Sequence, residues 1–328
     1  YQHRHYQQQD PEPAELEMPV YMAYLSGLIP IDSVWTDDDI AVFKVDKLGI
    51  KSTIIERNKT QSNQALSDQD LRDNVDAVKA AILAELERWR SNEAFRRRLR
   101  RDASNILTSR YVLTWKRQAD LTFIIKCRLC VHGFKDIYKN DVDRYSGTSS
   151  RWGQRAVVAT AVQMGWELAS LDISQAFLKG LTFEEIQAIR GGPKREVSMQ
   201  LPRGKEGLEP SGASVLRNLK GYESFNDALE VLEMIKGGFG LVDAPNLFTT
   251  RVDHVLKTKL INATLSDPKM YLEHDYSKTK TTSTTTVNPT LVLMVSAHMD
   301  DFKTTGEPAK MKGLQQLLST AFGDDVKM

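Results

Sequence analysis

Apolar residues recur at Leu71, Val75, Val78, Ile82, Leu86 and Trp89, the spacing that lays one face of a helix along a core. Ser67 and Asp70 stand ahead of it as a variant capping box, a hydroxyl and an acid that satisfy the first free N–H groups. The period then changes. Residues 106–117 and 121–131 are β-rich runs around a polar turn and predict a hairpin. A helix is expected over about 151–164, entered through Thr148-Ser149-Ser150 and stopped by Gly165, with Ala156, Val157, Thr160, Ala161 and Met164 on its apolar side. The strand that follows, from Trp166, runs straight into Asp172. Residues 197–201 alternate as a short strand, and a helix is predicted around 227–235. Gly237-Gly-Phe-Gly breaks the chain and launches a helix with Pro245 in its first turn and Leu247, Phe248, Val252, Val255, Leu256 and Leu260 on its apolar side. Residues 276–290 read as an exposed hairpin tip leading to a β-prone run from Leu291 that ends in Asp300 and Asp301. Pro308 opens a last helix using Met311, Leu314, Leu317, Leu318 and Phe322. Together these imply an α+β architecture.

Composition changes this picture little. The 328 residues are 41% hydrophobic and 27% charged, and 44 Lys and Arg nearly cancel 43 Asp and Glu, so a nucleic-acid partner must rest on local clusters rather than on net charge. Arg96-Arg97-Arg98 and Arg100-Arg101 form one such cluster, although a charge run is ordinarily a solvated face. No apolar run approaches the roughly 20 residues of a membrane helix, and the polar start lacks a signal-peptide core; an intracellular protein without membrane contact is expected, as a segment of something longer. Residues 1–20 read as disordered, 21–70 as a linker or subdomain without a role, 71–150 as a helix plus a basic hairpin, and 151–328 as the part carrying the acids. Cys127 and Cys130, with His132 behind, are half of a zinc pattern at most. On a strand, positions three apart face opposite sides, so two reduced cysteines are expected.

Asp172, Asp300 and Asp301 are the candidate chemistry. Alone, an Asp at a strand end is ordinarily a turn or cap residue. The strands ending in Asp172 and in Asp300-Asp301, paired side by side, would gather three carboxylates at one sheet end, and such a cluster raises its own pKa values or recruits cations. Phosphoryl transfer with two metals uses such parts: acids holding divalent ions about 4 Å apart, and basic groups steadying a polyphosphate.

From about Val75 onward the chain resembles the reverse transcriptase of copia-type LTR retrotransposons. A Trp-Lys pair followed by Lys-x-Arg-Leu-x-x-x-Gly-Phe stands at Trp115-Lys116 and Lys126-Cys-Arg128-Leu129 through Gly133-Phe134. Gly-Trp-x-Leu-x-x-Leu-Asp-Val-x-x-Ala-Phe-Leu-x-Gly stands at Gly165-Trp166 through Asp172, Ala176-Phe177-Leu178 and Gly180. Tyr-Gly-Leu-Lys-Gln-Ala-Pro becomes Phe239-Gly240-Leu241-Val242-Asp243-Ala244-Pro245, and Tyr-x-Asp-Asp becomes His298-Met299-Asp300-Asp301.

The resemblance implies the fingers and palm of a right-hand polymerase, an antiparallel palm sheet backed by helices, with thumb and RNase H lying downstream in the same polyprotein. It implies RNA-directed DNA synthesis on an RNA or DNA template with primer and dNTPs. Asp172, Asp300 and Asp301 would be the catalytic and metal-binding acids for two Mg²⁺ ions, with Mn²⁺ as substitute. Lys126 and Arg128 would clamp the triphosphate, Phe239 and Gly240 would help bind the nucleotide, and Phe177 would lie beneath its sugar and exclude a 2′-hydroxyl. The expected location is a cytoplasmic virus-like particle or ribonucleoprotein, or the nucleus. Three departures accompany the match: Val242 and Asp243 replace a basic and an amide residue, His298 replaces a tyrosine, and about a dozen residues from Gly221 onward are inserted. The changes at Val242, Asp243 and His298 favour the alternative of a decayed or domesticated copy that binds nucleic acid without polymerising, and the intact acids oppose it. An unrelated metal-dependent phosphohydrolase is disfavoured because no His-bearing metal motif accompanies the acids.

Overall fold

The structure, a computed structural model, describes residues 14–17, 40–46, 49–56, 64–118, 120–277, 281–282, 285–286, 289–323 and 326–327. The chain divides into two compact units, residues 1–64 with 116–123 and residues 65–115 with 124–328. The first carries an antiparallel sheet of β1 (Ala14–Glu17), β2 (Ile40–Asp46) and β3 (Gly49–Glu56). β1 falls in the segment expected to be disordered, and β2 and β3 in the one left without a role. Strand pairing runs through backbone groups and so does not need an apolar composition. The rest of 1–63 lies outside the described residues.

The second unit opens with α1 (Asp68–Asp73) and α2 (Val75–Ser91), separated at Asn74. The Ser67–Asp70 capping box forms as expected. Because the helix breaks at Asn74, Val75 faces solvent at 46% exposure, while Val78, Ile82, Leu86 and Trp89 are fully buried. They pack on a mixed five-stranded sheet in the order β4-β9-β8-β5-β6, made of β4 (Phe95–Leu99), β5 (Ile106–Arg117), β6 (Phe123–Val131), β8 (Ser198–Gln200) and β9 (Glu230–Met234). This sheet draws strands from both sides of residue 150. β5 and β6 are the expected hairpin, and Cys127 points into the core while Cys130 lies on the other face.

β9 replaces the helix expected around 227–235. The reason is its neighbour: Arg96 lies opposite Glu233 at 2.7 Å, Arg97 reaches Glu230 at 2.9 Å, and Arg98 adds a second contact to Glu233 at 3.2 Å. Opposite charges on adjacent strands stabilise that pairing. The same contacts pair Arg96, Arg97 and Arg98 with protein carboxylates.

The second sheet is antiparallel, in the order β10-β11-β14-β15-β7-β16. It contains β7 (Leu168–Ile173), β10 (Asn262–Ala263), β11 (Met270–Asp275), β14 (Thr290–His298), β15 (Asp301–Gly306) and β16 (Val326–Lys327). A small hairpin, β12 (Thr281–Thr282) with β13 (Thr285–Thr286), forms the tip between β11 and β14. Leu171, Ile173, Leu293, Val295 and Phe302 make one face apolar, and α6 (Ala244–Lys257) and α7 (Pro308–Phe322) cover it with Phe248, Val252, Leu256, Leu314 and Leu318. The other face receives α3 (Arg151–Met164), whose Val157 meets Met270 and Met294. Ser150 caps α3 and Gly165, at φ 64°, ends it. Two short helices, α4 (Phe183–Arg190) and α5 (Gly212–Leu216), complete the unit. The result is mixed α+β with sheets rich in antiparallel pairs. No helix among the described residues is long and apolar enough to cross a membrane.

One buried acid ties the first helix pair to the hairpin. Glu85, 3% exposed, accepts from Trp89 Nε1 at 3.1 Å, from the Leu129 amide at 3.1 Å and from Arg88 Nη1 at 3.0 Å. Glu85→Leu leaves two buried donors without an acceptor and is expected to destabilise the protein by about 2–4 kcal/mol. Urea unfolding measures this; a loss below about 1 kcal/mol would show that water replaces the carboxylate.

Candidate functional site

β7 ends in the acid because its alternation requires it: Leu171 and Ile173 point into the core, and Ser170 and Asp172 point out. The strand beside it is not the one expected. β15, which follows the double acid, lies between β7 and β14, and its register puts Asp301 opposite Asp172 and His298 opposite Asp301. On the other side of β7, Lys327 of β16 pairs with Asp172, so its backbone is flanked by strands on both sides.

Asp300 occupies the turn between His298 and Asp301. Met299 has φ 59°, and positive φ at the first of two turn residues is the pattern of a type II′ hairpin, where glycine is usual. A methionine there costs about 1–3 kcal/mol of strain, which the flanking strands must over-determine. Two contacts brace it: the Ile173 amide donates to the Asp300 carbonyl at 3.0 Å, and Ser146 Oγ donates to Met299 Sδ at 3.2 Å. Ser170 Oγ donates to Asp301 Oδ1 at 3.0 Å.

All three carboxylates reach solvent. Asp300 nevertheless lies low enough against the sheet for desolvation to push its carboxyl above the ordinary range, and the charges of Asp172 and Asp301 push it further, while His298 opposes them. The acids therefore feel one another, but they do not converge: among the described residues, no group of three His, Cys, Asp or Glu side chains could by itself hold a metal ion. The donors are hard carboxylate oxygens open to solvent. Such a set fits Mg²⁺ only as an ion that keeps water and shares the oxygens of a bound phosphate.

Phe177, Phe239 and Gly240 gather at a close backbone approach to the end of β6, and Lys126 and Arg128 lie earlier on that strand. On β6, Lys126 and Arg128 share the face opposite buried Cys127 and Leu129. The strand ends at Val131, whose amide donates to the Phe239 carbonyl at 2.7 Å. Gly240 has φ 96°, and a Cβ there would stand 2.0 Å from the Val131 carbonyl oxygen; one on Gly133 would stand 2.2 Å from the Gly240 oxygen. Only glycines allow this approach. Phe177 is half-buried on the 3₁₀ turn after β7 and meets Phe239 edge-on, with centroids 5.3 Å apart at 70°. Thus Phe177, Phe239, Gly240 and the β6 terminus form one connected group, and Phe177 stands five residues along the chain from Asp172.

The chain matches no protein-family model and no curated protein sequence.

Two of the departures acquire a structural account. Asp243 is buried, and its carboxylate lies 2.6 Å from Arg195 Nε, so it serves the interior rather than a template. His298 is exposed beside Asp301. Sequence reasoning missed Arg195 and Asp136, which meet Asp243 in one ion cluster; the only signal was an acid in place of an amide, which needs a buried countercharge.

A carboxyl whose folded pKa is raised binds its proton more tightly folded than unfolded. Ionised Asp300 therefore opposes stability above its folded pKa, and the penalty is relieved as pH falls through it. Asp300→Asn is expected to raise the melting temperature in metal-free buffer at neutral pH, and the gain should vanish in acid. Equal melting of both proteins across pH would show that the acids do not repel.

Proposed function

We propose that the chain is the fingers and palm part of a copia-type reverse transcriptase and carries out RNA-directed DNA synthesis by nucleotidyl transfer. The observation that carries this reading is the register of the acid end: Asp172 opposite Asp301, with Asp300 on the strained turn, at the end of an antiparallel sheet backed by α6 and α7. Asp172 and Asp300 would hold Mg²⁺ and Asp301 would support them. When bound, the ions supply Lewis-acid activation of the primer hydroxyl and charge neutralisation of the triphosphate. Lys126 and Arg128, on one strand face, meet phosphate oxygens as charge-assisted donors. The rigid Phe177 ring, held against Phe239, fills the space a 2′-hydroxyl would need. Template with primer and dNTPs are the partners, thumb and RNase H would follow in the polyprotein, and the setting is a cytoplasmic particle or the nucleus.

A second reading, a decayed copy that binds nucleic acid without polymerising, is favoured by the lack of a closed three-acid set among the described residues. Primer extension on poly-rA with Mg²⁺ or Mn²⁺ separates the two. Asp172→Asn and Asp300→Asn should each reduce extension more than a hundredfold without unfolding the protein, and chelation should abolish it. If both variants keep extending, the acid end is not the reaction centre.

Phe177→Val should admit ribonucleotides while preserving most dNTP use, since overpacking of about 1–3 kcal/mol corresponds to roughly tenfold to a hundredfold in selection. Unchanged discrimination between dNTP and rNTP would return Phe177 to the role of a packing aromatic.

A further inference from the structure

The approach of Gly133 to Gly240 is doubled three residues further along each segment. Asp136 follows Gly133 by three and Asp243 follows Gly240 by three, and one guanidinium lies between them. Arg195 Nη2 donates to Asp136 Oδ2 at 2.6 Å and to Asp243 Oδ1 at 3.1 Å, and its Nε stands 2.6 Å from Asp243 Oδ2. All three side chains are more than nine-tenths buried, and the guanidinium lies over the Phe183 ring at 5.3 Å. Asn105 Nδ2 and the Tyr138 amide complete the shell of Asp136.

We infer that Arg195 is a positioning residue of the site: by bridging Asp136 and Asp243 it clamps the end of β6 against the Phe239–Gly240 turn and so sets the place of the Phe177–Phe239 pair. In its functional part this rests on the reading of that pair as the floor of a nucleotide site. Two buried carboxylates without the cation would repel, and the segments bearing them are those whose backbones touch. The balance of the cluster agrees. Burial raises the Asp243 carboxyl, with Asp136 adding to the effect, whereas Asp136, which burial would also raise, is held below the usual range by its hydrogen bonds from Arg195 and Asn105. Lysine keeps the charge but loses the Nε approach to Asp243 and the planar contact with Phe183, so it holds the two carboxylates less firmly.

Hydrogen exchange on the full chain reads the clamp directly. The Val131 amide bonds across the clamped gap to Phe239, while the Leu129 amide, two residues earlier, bonds to Glu85 and serves as the internal control. Arg195→Lys should speed exchange at Val131 at least tenfold and leave Leu129 within twofold. Asp243→Asn, which keeps the Arg195–Asp136 pair and leaves one buried charge of each sign, should speed Val131 severalfold and serves if Arg195→Lys does not fold. In primer extension, Arg195→Lys should raise KM for dNTP about tenfold with kcat within twofold. Equal acceleration of Val131 and Leu129, or none at Val131 in either variant, would overturn the clamp. Selective acceleration at Val131 in a chain that never extends a primer would instead leave the clamp standing and remove the polymerase reading.

Discussion

The contact on which the second unit depends is one between backbones. Val131 and Gly133 lie against Phe239 and Gly240 so closely that a single Cβ on either glycine would overlap a carbonyl oxygen. No side-chain packing could bring the end of the hairpin sheet that near to the start of α6. What α6 covers is the apolar side of the sheet whose other side ends in the acids, and Phe239 carries the contact on to Phe177 and the turn after Asp172. Displacing either segment by an ångström would shift an aromatic pair that touches both hydrophobic cores, since Phe177 packs against each.

Charge is distributed by the same logic. In a chain that is almost neutral overall, the arginines of β4 are met by Glu230 and Glu233, Lys269 by Asp253 at 2.9 Å, and Arg195 by two aspartates. The acid end differs: its carboxylates stand beside one another, and the turn that carries the middle one is strained. Repulsion and strain together make this a locally unfavourable arrangement at the solvent-facing end of the sheet.

Much of this was legible in the sequence wherever a local rule decides the outcome. The Ser67 and Ser150 caps, the Gly165 stop, Pro245 in the first turn of α6 and the β5–β6 hairpin all follow from neighbours within a few residues. The failures are where distant partners decide. Glu230-Val-Leu-Glu-Met234 suits a helix, with its acids three apart, until the arginine strand takes those acids across a sheet. Asp172 could be seen at the end of an apolar run, but that β15 and not β14 would lie beside it depends on how the hairpin folds back. Arg195 sits in an aperiodic stretch after Gly191-Gly192-Pro193, where periodicity carries no information, and its partners are 59 and 48 positions away.

The openness of the acid end has a consequence for the proposed reaction. Acids that do not close on one point offer an ion too few oxygens to replace its water, and Mg²⁺ demands near-octahedral coordination. Phosphate oxygens from a nucleotide held by Lys126 and Arg128 would complete the shell, so ion and nucleotide would each raise the affinity for the other by the same factor. A closed metal site would keep its ion between substrates. On the proposed reading, an open one would take its ion together with the triphosphate, and the repulsion among Asp172, Asp300 and Asp301 would be relieved by that ion's charge.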